Sequence, residues 1–160
     1  MSVGRKLALI IKCYPTISMQ TQTSTIADHL SLTYRPDLGV LIARWQRPVT
    51  LEELQIGYRA LADEAERVGT VRWLLDTRAL TLSKEAGQWV NDMFYPTLAS
   101  RFNQPLRMAY MVPPDSQRQL RTDAEMAALL NRFEQTMYPY CFQLFDQEGE
   151  AQSWLATPIK

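Results

Sequence analysis

Val71–Pro96, VRWLLDTRALTLSKEAGQWVNDMFYP, is the stretch whose reading decides the fold. Val71–Asp76 is almost wholly apolar, as a strand covered on both faces must be. A loop follows, and Ser83 opens a helix. In an α/β domain the loop leaving the carboxyl end of an interior strand is where a site is presented. That loop and the helix behind it offer Asp76, Thr77, Arg78, Thr81, Ser83 and Trp89 as candidate ligand- or partner-binding residues. Arg78 can fork onto a carboxylate or phosphate, the threonines can hydrogen-bond, and Leu80 and Leu82 offer apolar contact. The bland alternative makes Asp76 and Arg78 a loop-stabilising pair, Ser83 a plain N-cap and Trp89 a core residue.

Upstream, Leu30, Leu32 and Tyr34 alternate with Ser31, Thr33 and Arg35, the period of a half-buried strand. Arg35–Gly39 supplies turn chemistry and Val40–Trp45 a second strand, so the two predict an antiparallel hairpin. His29 stands at its entrance and is expected to face solvent. Thr50-x-x-Glu53 is a capping box. Leu54, Tyr58, Leu61, Ala65 and Val68 then mark one face of a helix that Gly69 ends. Downstream of Ser83, the helix runs to about Ser100, with Ala86, Val90, Met93 and Leu98 inward and Pro96 bending or breaking it. Leu106–Val112 is a strand stopped by Pro113-Pro114, and residues 115–121 read as a polar connection. Thr122-x-x-Glu125 is a second capping box, opening a helix lined by Met126, Leu129, Leu130, Phe133 and Met137. Tyr140–Phe145 is the last strand, and Ala151, Trp154 and Leu155 belong to a closing helix.

The order β-β-α-β-α-β-α-β-α predicts an α/β fold: one mixed, mostly parallel five-stranded sheet opened by an antiparallel hairpin, with right-handed crossovers. Residues 29–157 form the domain, and residues 1–28 an N-terminal extension that is loosely ordered. Its short apolar run, Leu7–Ile11, falls far below the roughly 20 residues of a membrane span and precedes no small-residue cleavage site.

The 160 residues make one domain's worth of chain. Seventeen basic residues balance seventeen acidic ones, which speaks against nucleic-acid binding through a general basic field. Cys13 and Cys141 have no ligand-like spacing and read as free thiols of a reducing, cytoplasmic compartment. With a single histidine and no Cys/His cluster, no metal site is expected, nor any cofactor. No G-x-S-x-G, G-x-G-x-x-G or G-x-x-x-x-G-K motif occurs, so the chain is not expected to be an enzyme. Asp76 is the one acid at a position that fold logic would give to catalysis.

Three pieces, YRPDLGVLIARW (34–45), VRWLLDTRALT (71–81) and FDQEGEAQSWL (145–155), together with the element order, resemble the SpoIIAA-like proteins. These are relatives of the STAS (sulfate transporter and anti-sigma-factor antagonist) domain and similar to the CRAL-TRIO lipid-binding fold. The resemblance spans about Leu30 to Leu155. It implies a non-catalytic module acting through protein–protein contacts or, alternatively, a cavity beneath the second helix for a small apolar ligand or lipid. A homodimer is possible, and the short apolar run gives no expectation of stable membrane insertion. The antagonists' phosphorylatable Asp-Ser-Ser-Gly motif is missing. Asp76-Thr77-Arg78-Ala79 stands nearest to it, so regulation by phosphorylation does not carry over.

Overall fold

The structure is a computed structural model and describes residues 20–81, 83–135 and 140–158. Residues 1–19 of the expected loose extension (1–28), Leu82 and Met137 lie outside the described residues, as do the side chains of Leu129 and Phe133. One sheet organises the chain: β1 (Gln22–Ile26), β2 (Leu30–Arg35), β3 (Val40–Trp45), β4 (Arg72–Asp76), β5 (Leu106–Met111) and β6 (Tyr140–Phe145), side by side in that order. β1, β2 and β3 pair antiparallel, and every later pair is parallel. The predicted class holds, with six strands rather than five. The added strand, β1, falls in the segment read as an extension. Its sequence, QTSTI, is nearly all exposed and carries no apolar alternation. It is held by pairing with β2 from Gln22↔Tyr34 to Ile26↔Leu30, and the Thr23 and Thr33 hydroxyls meet across that pair at 3.1 Å.

The pleat sends alternate residues to opposite faces. Leu30, Leu32, Leu41, Ala43, Trp73, Leu75, Met108 and Leu144 face a layer built by α1 (Leu51–Val68), α2 (Lys84–Trp89), α3 (Tyr95–Leu98), α4 (Pro114–Thr122) and α5 (Ala124–Gln135). Val40, Ile42, Leu74, Ala109, Met111 and Phe145 face α6 (Glu148–Ala156). The Thr50 box forms as read: Thr50 Oγ1 accepts the Glu53 N–H at 3.2 Å, and Glu53 Oε1 accepts the Thr50 N–H at 3.0 Å. Gly69, in the left-handed region at φ 73°, closes α1. Gly57 lets that helix lie close on the hairpin, because a Cβ there would stand 3.0 Å from Leu30 Cδ2.

Four local expectations are corrected. Between α2 and α3 the chain widens into a π turn, Val90–Phe94, in which the Tyr95 N–H donates to the Val90 carbonyl. Pro96 has no N–H to give and its ring crowds the carbonyl four residues back, which the wider turn relieves. The extra residue turns Met93 outward, 63% exposed, and brings Phe94 in beside Val90 and Leu98. Residues 115–121 are helical, not a connection, because Pro114 sits in the first turn, where a missing N–H costs nothing. Thr122 does not cap α5: Asp123 Oδ1 accepts the Met126 N–H at 3.0 Å, while the Thr122 hydroxyl donates to the Gln119 carbonyl. A carboxylate one residue later is at least as good a cap. Finally, His29 is buried at 4% exposure, under the first turn of α1.

Among the described residues, no helix is long and apolar enough to cross a membrane.

Candidate binding cavity

The pleat divides the six candidate residues. Asp76 shares a face with Leu74 and so turns toward α6. Its Oδ2 accepts from Arg44 Nη1 at 2.8 Å and from Arg78 Nη2 at 2.8 Å, and its Oδ1 from Arg78 Nε at 2.9 Å. Arg44 reaches on to Glu148 at the head of α6, 2.5 Å away. Burial pushes the Asp76 carboxyl up, but hydrogen bonds from the Arg78 side chain and backbone and from Arg44 outweigh it and hold the group below the usual carboxylate range. Asp76 and Arg78 therefore form the loop-stabilising pair, tied to α6.

Thr77 is the first residue on the other side. Its hydroxyl donates to the Met111 carbonyl at 2.9 Å, which fastens the loop to β5. Ser83 caps α2 by accepting the Ala86 N–H at 3.0 Å. Thr77, Thr81 and Ser83 all line one cavity; Asp76, Arg78 and Trp89 do not. Trp89 lies on the other side of its helix, stacked on Phe94 with ring centroids 5.7 Å apart and with the Arg59 guanidinium 5.8 Å above it.

The cavity, about 720 Å³, opens at the carboxyl ends of the parallel strands, between the start of α1, α2 and the α4–α5 pair. Leu54, Leu80, Val90, Val112, Leu120 and Leu144 give it apolar walls. Among its lining residues are three tyrosines from three elements, Tyr58 of α1, Tyr95 of α3 and Tyr110 of β5. The Tyr110 hydroxyl is 3.2 Å from that of Tyr58 and is also hydrogen-bonded to that of Tyr95. Burial pushes all three phenols well above the ordinary tyrosine value, so they are neutral donors and acceptors at physiological pH. Sequence reading missed this group. Tyr58 was visible only as one more member of an apolar helix face, and no spacing links residues 58, 95 and 110. A cavity beneath the second helix was anticipated, and Ala86, Val90 and Asn91 are among the residues that line this one.

A second polar cluster, Asp28, His29, Arg47 and Glu53, lies at the junction of the β1–β2 turn with α1. Arg47 Nη2 is 2.8 Å from Asp28 Oδ1 and 2.7 Å from Glu53 Oε2. Hydrogen bonds from Arg47 and from the Thr50 N–H hold the Glu53 carboxyl down to about 2.

No family model matches the chain, and a search of curated proteins finds no match either. Among solved structures, the chain is similar to an uncharacterised protein of the DUF3478 family with a SpoIIAA-like fold, from Shewanella loihica PV-4. Identity is 18%, with 85% of this chain and 92% of that one covered and a TM-score of 0.47. The fold assignment rests on the strand order and directions set out above.

Proposed function

We propose that the chain is a non-catalytic binding module whose ligand is a small, largely apolar molecule carrying at least one hydrogen-bonding group. The observation that carries this reading is the cavity itself. Its volume of about 720 Å³ falls among those of sites that enclose small organic ligands, and its apolar walls surround a few grouped polar atoms. The walls would take the apolar body and the tyrosine hydroxyls the polar group. A catalytic role for Asp76 is disfavoured, because its carboxylate already accepts from two guanidinium groups and lies outside the cavity lining. The phenols are poor bases while their ionisation is pushed up. A reducing, cytoplasmic setting is in keeping with the buried free thiol of Cys141.

Protein–protein contact through the same loop is the second reading. In its favour, Arg78, Thr81, Ser83 and Lys84 are all exposed near the cavity's mouth. Titration with an apolar fluorescent probe, anilinonaphthalene sulfonate, separates the two. The cavity reading expects saturable one-to-one binding, lost in Ala86→Phe, which fills the space beside Val90, and kept in Arg78→Ala. Native mass spectrometry would add the mass of any molecule retained from the host. Absence of saturable binding to the folded wild type would overturn the proposal, as would equal binding by a folded Ala86→Phe variant.

A further inference from the structure

The turn between β1 and β2 presses Asp28 and His29 against the first turn of α1, where Glu53 stands. One atom from each, His29 Nδ1 and an oxygen from each carboxylate, lie within 4.8 Å of one another. Nδ1 is 3.4 Å from Glu53 Oε2 and 3.7 Å from Asp28 Oδ1. The His29 side chain is only 5% exposed, yet neither of its ring nitrogens has a hydrogen-bond partner among the described residues. Buried polar nitrogens are nearly always satisfied, so an imidazole sealed beside two carboxylates without bonding either one needs a reason.

We propose that Asp28, His29 and Glu53 are the three protein ligands of a site for a divalent ion of the zinc class. Bonds of about 2.0–2.1 Å in tetrahedral array set ligand atoms roughly 3.3–3.4 Å apart. The Nδ1–Oε2 separation of 3.4 Å meets that spacing, and 3.7 Å to Oδ1 is close to it. One imidazole and two carboxylates suit zinc, cobalt or nickel; magnesium and calcium prefer all-oxygen sets with more ligands. Asp28 is 76% exposed, so its side of the site leaves the fourth position to water.

Arg47 is the obstacle, and it also marks the site. Its Nη2 bonds the same two oxygens that face His29, so a guanidinium stands where positive charge is wanted. The side chain is 39% exposed and springs from the loop between β3 and α1, but it forks onto both carboxylates and also donates to the Pro48 carbonyl, so an ion has to displace these bonds. Binding is therefore an exchange. The ion replaces one charge by two and gives Nδ1 the partner it lacks. The expectation of no metal site came from the single histidine and the lack of a Cys/His cluster, and that of a solvent-facing His29 from its place at the hairpin entrance. Residues 28, 29 and 53 match no metal motif.

The test uses the full untagged chain carrying Cys13→Ser, so that this thiol cannot hold the ion. Zinc is titrated in competition with a chromophoric zinc indicator, and cobalt(II) is added separately for its visible spectrum. The expected result is one equivalent of zinc, visible cobalt bands of a four-coordinate site, and no displacement by millimolar magnesium. His29→Gln and Asp28→Asn should each weaken zinc binding at least tenfold, and Arg47→Gln should tighten it. Failure of the parent chain to take up one equivalent would overturn the site. So would unchanged affinity in folded His29→Gln or, should that variant not fold, in Asp28→Asn, whose side chain is exposed. Weaker binding by Arg47→Gln would overturn the exchange.

Discussion

The two faces of the sheet are finished in opposite ways. On one, α6 is the single helix among the described residues that lies against Val40, Ile42, Leu74, Ala109, Met111 and Phe145. Its Ala151 and Leu155 are completely buried, and Trp154 lies over the Arg107 guanidinium at 4.2 Å. On the other, a thicker helical layer packs tightly through Leu61, Ala62 and Ala65, yet stands off the carboxyl ends of the strands and leaves about 720 Å³. The difference shows where stability and binding are kept apart. A short helix touching the sheet along its length stabilises the domain and has no room for anything else. A longer layer anchored at one end can leave the other end open.

The sharpest way to break this contrast is to delete equal side chains on the two faces. Leu155→Ala should cost about 3–4 kcal/mol in urea unfolding, as for a sealed core leucine. Leu120→Ala, on the half-buried cavity wall, should cost under about 1 kcal/mol, because its environment is already partly empty. Similar losses at both positions would mean that the cavity closes in solution.

Smaller, and confined to the α6 side, is the effect of Asp76→Asn, about 2 kcal/mol at pH 7. This lies below the range for fully buried pairs because Arg78 reaches solvent. The folded carboxyl is held below its unfolded value of about 3.9. Its contribution is therefore complete above that pH and is lost as pH falls through the folded value. Unfolding curves of wild type and variant should differ at neutral pH and converge below about pH 4. A constant difference down to pH 2 would mean that the ion pairs do not stabilise the fold.

Smallest are the caps of the open layer. Thr50→Ala should cost about 1 kcal/mol and Thr122→Ala less than about 0.5 kcal/mol, read from the same unfolding curves. A loss at Thr122 equal to that at Thr50 would move the start of α5 back to Thr122.

These pairs also show what was legible in the chain. β4 and α1 could be read because apolar period and end signals agreed: Val71–Asp76 is a continuous run, and Thr50, Glu53 and Gly69 bracket one helical face. β1 could not, since an edge strand of glutamine, serine and threonine shows no period and is defined by its partner. Thr122-x-x-Glu125 matched the motif of Thr50-x-x-Glu53, and the neighbouring Asp123 decided against it, a competition between local caps that no motif encodes. At the candidate loop, Thr77, Thr81 and Ser83 line the cavity, whereas Asp76 and Arg78 pair on the α6 side. The pleat that separates Asp76 from Thr77 was available in the sequence as simple alternation. The cavity was not, because its volume is set by how far helices stand from strands, and its tyrosines by the meeting of three distant segments.

The π turn at Val90–Phe94 has a consequence for chain length. Such a turn holds one residue more than an α-helix needs for the same span, so the segments before and after it keep their faces. Losing one residue inside α1 would rotate everything beyond it by about 100° and take Leu61 or Ala65 out of the core. Losing one between Val90 and Phe94 would instead close the ordinary ladder with Ala86 and Leu98 still facing inward, at the cost of the bond Pro96 withholds and the crowding of its ring. A deletion in the wall of the cavity is thus less damaging than one inside α1.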